Sequence, residues 1–239
     1  MKRSSAYLSF PGGRQYNEDA VYVKGFNNKI LAIIADGLGG HSNGDIASKM
    51  AVSVVSGFLK NNSIKGETLD SEIRASISEA NSAIIKNNSG TSGVKTTAVV
   101  LYIKGNQAVC AHLGDSRLYH FRKEKIIFQT RDHSVTQMAV SVGEISFDEI
   151  RGHVDRNKLL RVLGDTEEVA SELSQIDLLD GDSFLLCSDG FWELISEDEM
   201  QDDLVGSHDA KIWLEKMYKR VKSRVTDSSD NYSAITLIL

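Results

Sequence analysis

Aspartates sit where short apolar runs of this chain stop, and that placement points to chemistry. Ile30-Leu31-Ala32-Ile33-Ile34-Ala35 ends in Asp36-Gly37-Leu38-Gly39-Gly40. Ser183–Cys187 ends in Ser188-Asp189-Gly190, and Ala108–Leu113 runs through Gly114 into Asp115. Asp230 comes just before the terminal apolar run Ser233–Leu239, and Glu18-Asp19 comes just before Ala20–Lys24. Carboxylates at strand ends of the same sheets can meet in space while far apart in sequence. Several that meet repel one another and are tolerated only with cations between them. Gly37 has no side chain, so its carbonyl can approach whatever Asp36 holds. Carboxylates and a close carbonyl are hard oxygen donors of the kind that Mg²⁺, Mn²⁺ or Ca²⁺ takes. Histidine is scarce near these clusters, which disfavours zinc. A single Asp-Gly reads more plainly as a chain reversal; its recurrence argues for a site.

Positioning such groups falls to the elements around them. Lys29–Asp36, bounded by glycines and rich in β-branched residues, reads as a strand buried on both faces. Tyr7–Phe10 and Ala20–Lys24 read as short strands flanking Gly12-Gly13-Arg14-Gln15-Tyr16-Asn17-Glu18-Asp19. A helix is predicted from Ile46, capped by Asp45 or Asn43, with Ile46, Met50, Val54 and Phe58 facing a core. A second runs over Leu69–Lys86, with Leu69, Ile73, Ile77, Ala80 and Ile84 on one face. Thr96–Lys104 and Gln107–Leu113 form a hairpin about Gly105-Asn106, and Arg117–Arg122 and Ile126–Thr130 continue the meander. Asp132–Gly164 turns helical and irregular, with capping-box spacing at Ser146–Glu149. Ser183–Cys187 is another buried strand, and Ser196-Glu197-Asp198-Glu199 opens a short acidic helix. Ala210–Val225 turns Trp213, Met217 and Val221 inward, and Ser233–Leu239 closes the chain as a strand. This succession is an α+β pattern. Short loops within each helix pair make the pair an antiparallel layer. The expected architecture is a four-layer α-β-β-α sandwich, two facing and mainly antiparallel sheets flanked by antiparallel helix pairs.

The 239 residues contain a single proline, Pro11, with no low-complexity linker and no solenoid repeat, so one domain over 1–239 is expected. A formal net charge of −6 makes a nucleic-acid duplex a poor partner. Met1-Lys2-Arg3-Ser4-Ser5 leads into no apolar h-region, and no apolar run reaches bilayer length, so neither a secretory signal nor membrane insertion is expected. Cys110 and Cys187 sit inside apolar runs and read as buried small hydrophobes, not as a disulfide or a thiolate metal site. A cytoplasmic setting is expected.

Eight segments, in order, resemble those of the metal-dependent PPM (type 2C) Ser/Thr protein phosphatases in their compact bacterial form. They are Arg14-Gln15-Tyr16-Asn17-Glu18-Asp19-Ala20, Ala35-Asp36-Gly37-Leu38-Gly39-Gly40-His41, Lys95-Thr96-Thr97-Ala98, Leu113-Gly114-Asp115-Ser116-Arg117, Asp132-His133-Ser134, the stretch from His153 to Gly164, Cys187-Ser188-Asp189-Gly190, and Asp230-Asn231-Tyr232-Ser233. The resemblance implies a β-sandwich with helix pairs on both sides and hydrolysis of phosphoserine and phosphothreonine. It also implies two Mn²⁺ or Mg²⁺ ions per chain, with room for a weaker third. On that reading Asp36 bridges two metals and Gly37 offers its carbonyl to one, while Asp189 and Asp230 ligate the other. Glu18 and Asp19 orient metal-bound water, Asp115 joins Asp189 around the third ion, and Arg14 grips the substrate phosphate. Two ions about 4 Å apart would hold a bridging hydroxide in line with phosphorus, so no phosphoenzyme is needed. The planar fork of Arg14 suits two phosphate oxygens in a way lysine does not.

Where many eukaryotic relatives carry His directly after the Asp-Gly, this chain has Leu38. His41 or a metal-bound water is left as the source of the leaving-group proton. Val154 stands where the family often has proline. The implied partners are phosphorylated proteins and a Ser/Thr protein kinase whose action is reversed, with the chain acting as a monomer. A flap-like segment, Asp132–Gly164, would shape substrate choice. The rival readings are a catalytically silent scaffold of this fold and a hydrolase of phosphorylated metabolites.

Elsewhere plainer readings hold. His133 reads as a hydrogen-bonded residue at the start of a helix, and His112, His120 and His208 as bystanders. Asp165 and Asp182 read as turn residues, and Glu197–Asp203 as the solvated start of a capped helix. Asp227 is the rival of Asp230, and one of Glu18 and Asp19 is free to face solvent.

Overall fold

The computed structural model describes residues 3–39, 43–61, 68–88 and 93–239. One sheet runs β1 (Ser4–Phe10), β12 (Tyr232–Ile238), β11 (Ser183–Cys187), β8 (Arg117–Arg122) and β9 (Lys125–Gln129). The other runs β10 (Glu172–Asp177), β7 (Gln107–Leu113), β6 (Ala98–Lys104), β3 (Lys29–Ala35) and β2 (Ala20–Phe26). Every pairing in both is antiparallel. A two-residue ribbon joins β4 (Gly37–Leu38) to β5 (Lys95–Thr96). Six helices complete the described chain: α1 (Gly44–Asn61), α2 (Leu69–Asn87), α3 (Val135–Ser141), α4 (Asp189–Trp192), α5 (Glu197–Leu204) and α6 (Ala210–Arg224), with a 3-10 turn at Phe147–Gly152.

Strand alternation builds three apolar layers from these parts. Along β3, Leu31 and Ile33 face Ala51, Val55, Ile73 and Ile77 of the α1–α2 layer. Ala32 and Ile34 point the other way, to Leu186, Ile235 and Leu237 of the opposing sheet. The far face of that sheet, with Tyr119, Leu185 and Ala234, is covered by Met200, Trp213 and Met217 of α5 and α6. Burial on both faces explains why β3 reads as an unbroken apolar run. Each such side chain contributes about 1.5–3 kcal/mol relative to exposure. The layer order is the expected four-layer sandwich.

Several elements differ in detail from the sequence expectation. The inward face of α1 is Ala47, Ala51, Val55 and Leu59, one residue on from the predicted stripe, and Ile46 is exposed. Alanines on that face let the helix lie close to β3, which the bulkier stripe would not. Asp45 lies inside the first turn, where it pairs with Lys49. β10 is absent from the sequence reading: Leu173 and Ile176 are spaced by three, which hides the two-residue period of an edge strand. Thr96 belongs to β5, not to the start of β6, because Thr97 breaks the run to bond Asp36. The acidic stretch of α5 is not merely solvated, since Glu197, Glu199 and Asp203 all pair with arginines. Asp182 does occupy a turn, but it is buried, with Arg122 and His120 on its carboxylate, so His120 is not a bystander. Cys110 and Cys187 are buried and unbridged. No helix among the described residues is long and apolar enough to cross a membrane.

Candidate active site

Antiparallel register brings the remote aspartates to one rim. Ala20 pairs with Ala35, so the residues just outside that pair, Asp19 and Asp36, are neighbours. Cys187 pairs with both Arg117 and Ala234, which brings Ser188-Asp189 beside Gly114–Ser116 on one side and Asp230–Ser233 on the other. Ala98 pairs with Leu113, setting Thr97 against Gly114. The result is a cavity of about 420 Å³ whose lining includes Arg14, Glu18, Asp36, Gly37, Asp115, Asp189 and Asp230. Of the eight residues singled out in the sequence, only Asp19 is absent from that lining. Asp19 lies just beneath it, its Oδ2 accepting from the Ser188 hydroxyl at 2.8 Å. Asp227 is also absent from the lining; its carbonyl packs instead where a Cβ on Gly13 would be.

The main chain under the carboxylates is tightly fixed. Asp36 N–H donates to Thr97 Oγ1 at 3.0 Å, and its carbonyl accepts from Thr97 N–H at 2.9 Å and Thr96 Oγ1 at 2.8 Å. A Cβ on Gly37 would sit 2.3 Å from the Gly44 carbonyl oxygen and 2.8 Å from that of Glu18, so only glycine fits there. Glu18 Oε1 accepts the Gly44 N–H at 2.9 Å at the start of α1, where the helix end favours negative charge. Arg14 reaches over the rim to Asp230 at 3.0 Å, with its side chain 57% exposed. Gly12, at φ +62°, is pressed onto the Asp230 carbonyl and brings the arginine to that position.

Charge in the cavity is poorly compensated. Burial, then the Asp189, Asp19, Asp115 and Asp230 carboxylates, hold the Asp36 pKa well above the usual range. Asp189 is raised by burial, then Asp115 and Asp230. Burial pushes Asp115 up to about 7 and Asp19 to about 6. Asp19 Oδ1 is buried with no hydrogen-bond partner. Such a set wants positive charge supplied from outside the chain. The donors are all oxygen, one buried Asp19 oxygen is left without a partner, and Gly37 lines the cavity beside Asp36, so the residues fit hard divalent ions. No three cavity carboxylates among the described residues bring their oxygens within 4.8 Å of one another.

Sequence reasoning missed the residue that ties this rim together. Asn231 accepts Glu18 N–H at 2.8 Å and donates to the Pro11 and Tyr16 carbonyls, both at 2.9 Å. Its place after Asp230 was the only signal available. Asn157 and Leu159 of the 132–164 segment also line the cavity. Gly40 and His41 lie outside the described residues. A second cluster, His112, His133 and Glu172, brings one potential ligand atom each within 4.8 Å. Its hydrogen bonds speak against a metal. His112 Nε2 faces the Arg131 carbonyl at 2.8 Å, and Gly114 N–H donates to His133 Nδ1 at 3.3 Å. His133 therefore carries its proton on Nε2, toward Glu172. The two rings stack at 4.6 Å.

The profile of the Protein phosphatase 2C family matches residues 13–229. Serine/threonine phosphatase stp of Listeria welshimeri is 34% identical over 197 residues, covering 80% of this chain and 78% of that protein. Protein phosphatase PhpP of Streptococcus pneumoniae is 33% identical over 195 residues, covering 79% and 78%. The crystal structure of the Mycobacterium tuberculosis serine/threonine phosphatase PstP/Ppp superimposes with a TM-score of 0.87 at 28% identity, covering 99% of this chain and 98% of that one. The PstP catalytic domain in complex with two manganese ions gives 0.84 at 26% identity, covering 99% and 97%. The chain belongs to the protein phosphatase 2C family, and with it to the serine/threonine protein phosphatases.

Proposed function

We propose that this chain hydrolyses phosphoserine and phosphothreonine in proteins with the aid of two Mn²⁺ or Mg²⁺ ions held in the acid cavity. The observation that carries the reading is the meeting of Asp36, Asp115, Asp189, Asp230 and Glu18 around one cavity where Arg14 at the rim is the one cationic side chain among the described lining residues. Asp36 and the Gly37 carbonyl would serve both ions and one of them respectively, with Asp189 and Asp230 on the other. Asp115 with Asp189 would take a weaker third. When bound, such ions lower the pKa of a shared water and offset charge on the phosphoryl oxygens, so that direct attack on phosphorus needs no phosphoenzyme.

The chain's own residues supply the rest. Glu18 and Asp19 accept hydrogen bonds from water and hold it oriented. Arg14, released from Asp230, forks onto two phosphate oxygens. Leu38 carries no transferable proton, so the leaving group takes its proton from solvent in the cavity. Residues 132–164 form a flap beside the cavity, contributing Asn157 and Leu159 to its wall. On this reading 1–239 is one phosphatase domain, acting as a monomer in the cytoplasm against a Ser/Thr protein kinase. The deciding experiment is a manganese titration of activity on a phosphothreonine peptide beside a phosphorylated metabolite, with EDTA as control. Metal-dependent turnover favouring the peptide is expected. Chelator-resistant turnover would overturn the metal reading, and preference for the metabolite would overturn the protein substrate.

A further inference from the structure

Behind the cavity, one indole joins two of the carboxylate-bearing segments. Trp192 closes α4, the four-residue helix that begins at Asp189. Its Nε1–H donates to the main-chain carbonyl of Asp115 at 2.9 Å, and the residue is 1% exposed. The ring cannot swing away, because the Arg117 guanidinium lies over it with Cζ 3.5 Å from the ring centroid. That guanidinium is itself locked: Nε and Nη2 donate to the two Asp132 oxygens, both at 2.8 Å, and Nη1 donates to Tyr119 OH at 3.1 Å. The Phe147 ring lies 5.1 Å from it as well. Arg151 donates to the Trp192 carbonyl at 3.1 Å and to Glu197 at 2.7 Å, fixing the C-terminal end of α4.

A charged group this deeply buried is costly unless fully paired. It stabilises little that an apolar side chain could not, yet it makes the indole immobile. The immobility matters because Asp115 and Asp189 line the same cavity, and the Asp115 charge raises the cost of ionising Asp189. One N–H spans the two segments against that repulsion.

We propose that Trp192 is a positioning residue for divalent-ion binding. Its indole N–H, fixed by Arg117, holds the Asp115 main chain at the separation from Asp189 at which both carboxylates serve one ion. This rests on the metal reading above, and the test separates the two. Trp192→Phe keeps an aromatic face for Arg117 and removes the N–H. Trp213→Phe is the control, since it removes another buried indole N–H, one that bonds the Met200 carbonyl away from the cavity. Calorimetric titration with Mn²⁺ should show the weakest class of sites about tenfold weaker in Trp192→Phe. The tighter sites in that variant, and all sites in Trp213→Phe, should keep wild-type affinity. Identical isotherms for Trp192→Phe and wild type would overturn the proposal. A wild-type protein that binds no Mn²⁺ would instead remove the reading beneath it.

Should Trp192→Phe not fold, Trp213→Phe still decides, because Trp192 is then the sole tryptophan of the chain. Its indole N–H resonance should shift with added Mg²⁺ at the midpoint of the weakest site. A resonance unmoved through saturation would count against the proposal as firmly as identical isotherms.

Discussion

Two groups of acids in this molecule are made of the same residues and live in opposite electrostatic worlds. On α5, Glu199 receives Arg220 and Arg224, Asp203 receives Arg220, and Glu197 receives Arg151. The arginine partners hold Glu199 down at about 2. At the rim of the sheets Asp19, Asp36, Asp115 and Asp189 have one another for company, and all four are raised, with burial the largest cause. The first group carries its counter-ions within the chain. The second leaves that place open, and an uncompensated buried charge is a better marker of function than acidity itself.

That contrast can be broken most severely at Asp36. Asp36→Asn or Asp189→Asn should lower turnover by roughly 10³-fold, the scale of losing a principal charge-stabilising group. At pH 8 in EDTA the same variants should melt at or above the wild type, since each removes one of several repelling carboxylates. A clear fall in melting temperature in EDTA would mean that these acids are satisfied without ions. Arg14→Ala should reduce kcat/KM by about 10²-fold, with Arg14→Lys recovering only part because it lacks the fork; steady-state kinetics on a phosphothreonine peptide decide it.

A subtler effect is expected in pH dependence. Asp19 and Asp115 have folded pKa values of about 6 and about 7 against 3.8 for the free side chain. The folded protein therefore binds more protons than the unfolded chain between about pH 4 and 7, and metal-free stability should fall as pH rises through that window. Mn²⁺ competes with those protons, so its stabilisation of the fold should be larger at pH 8 than at pH 5 in thermal melts. Glu199 runs the other way: its stabilisation is present above pH 4.5 and is lost as pH falls toward about 2. Glu199→Gln should cost only about 0.5–1 kcal/mol, as for a surface ion-pair network, with activity unchanged. Equal metal stabilisation at both pH values would erase the distinction between the two acid groups.

Much of this was legible beforehand for a physical reason. Aspartate after an apolar run is a local pattern, so Asp36, Asp115 and Asp189 could be picked out without knowing what lay beside them. Apolar periodicity likewise gave α2 and α6, whose buried faces include Ile73, Ile77, Ala80 and Ile84 and Trp213, Met217 and Val221, as expected. The misses share another cause. The inward face of α1 is set by how closely alanines approach β3, and β10 exists because β7 offers it an edge. Asn231 and Trp192 are ordinary residues locally. Their roles arise from partners 77 and 220 positions away along the chain, to which sequence spacing gives no guide.

Composition and local pattern, then, determined which side chains stand at the ends of strands and that the layers alternate as they do. Hydrophobic burial is read by each residue from its own neighbours in the chain. Only the tertiary structure decided which acids acquire arginines and which are left facing one another. Antiparallel register joins distant segments, and charge compensation depends on what stands across the gap.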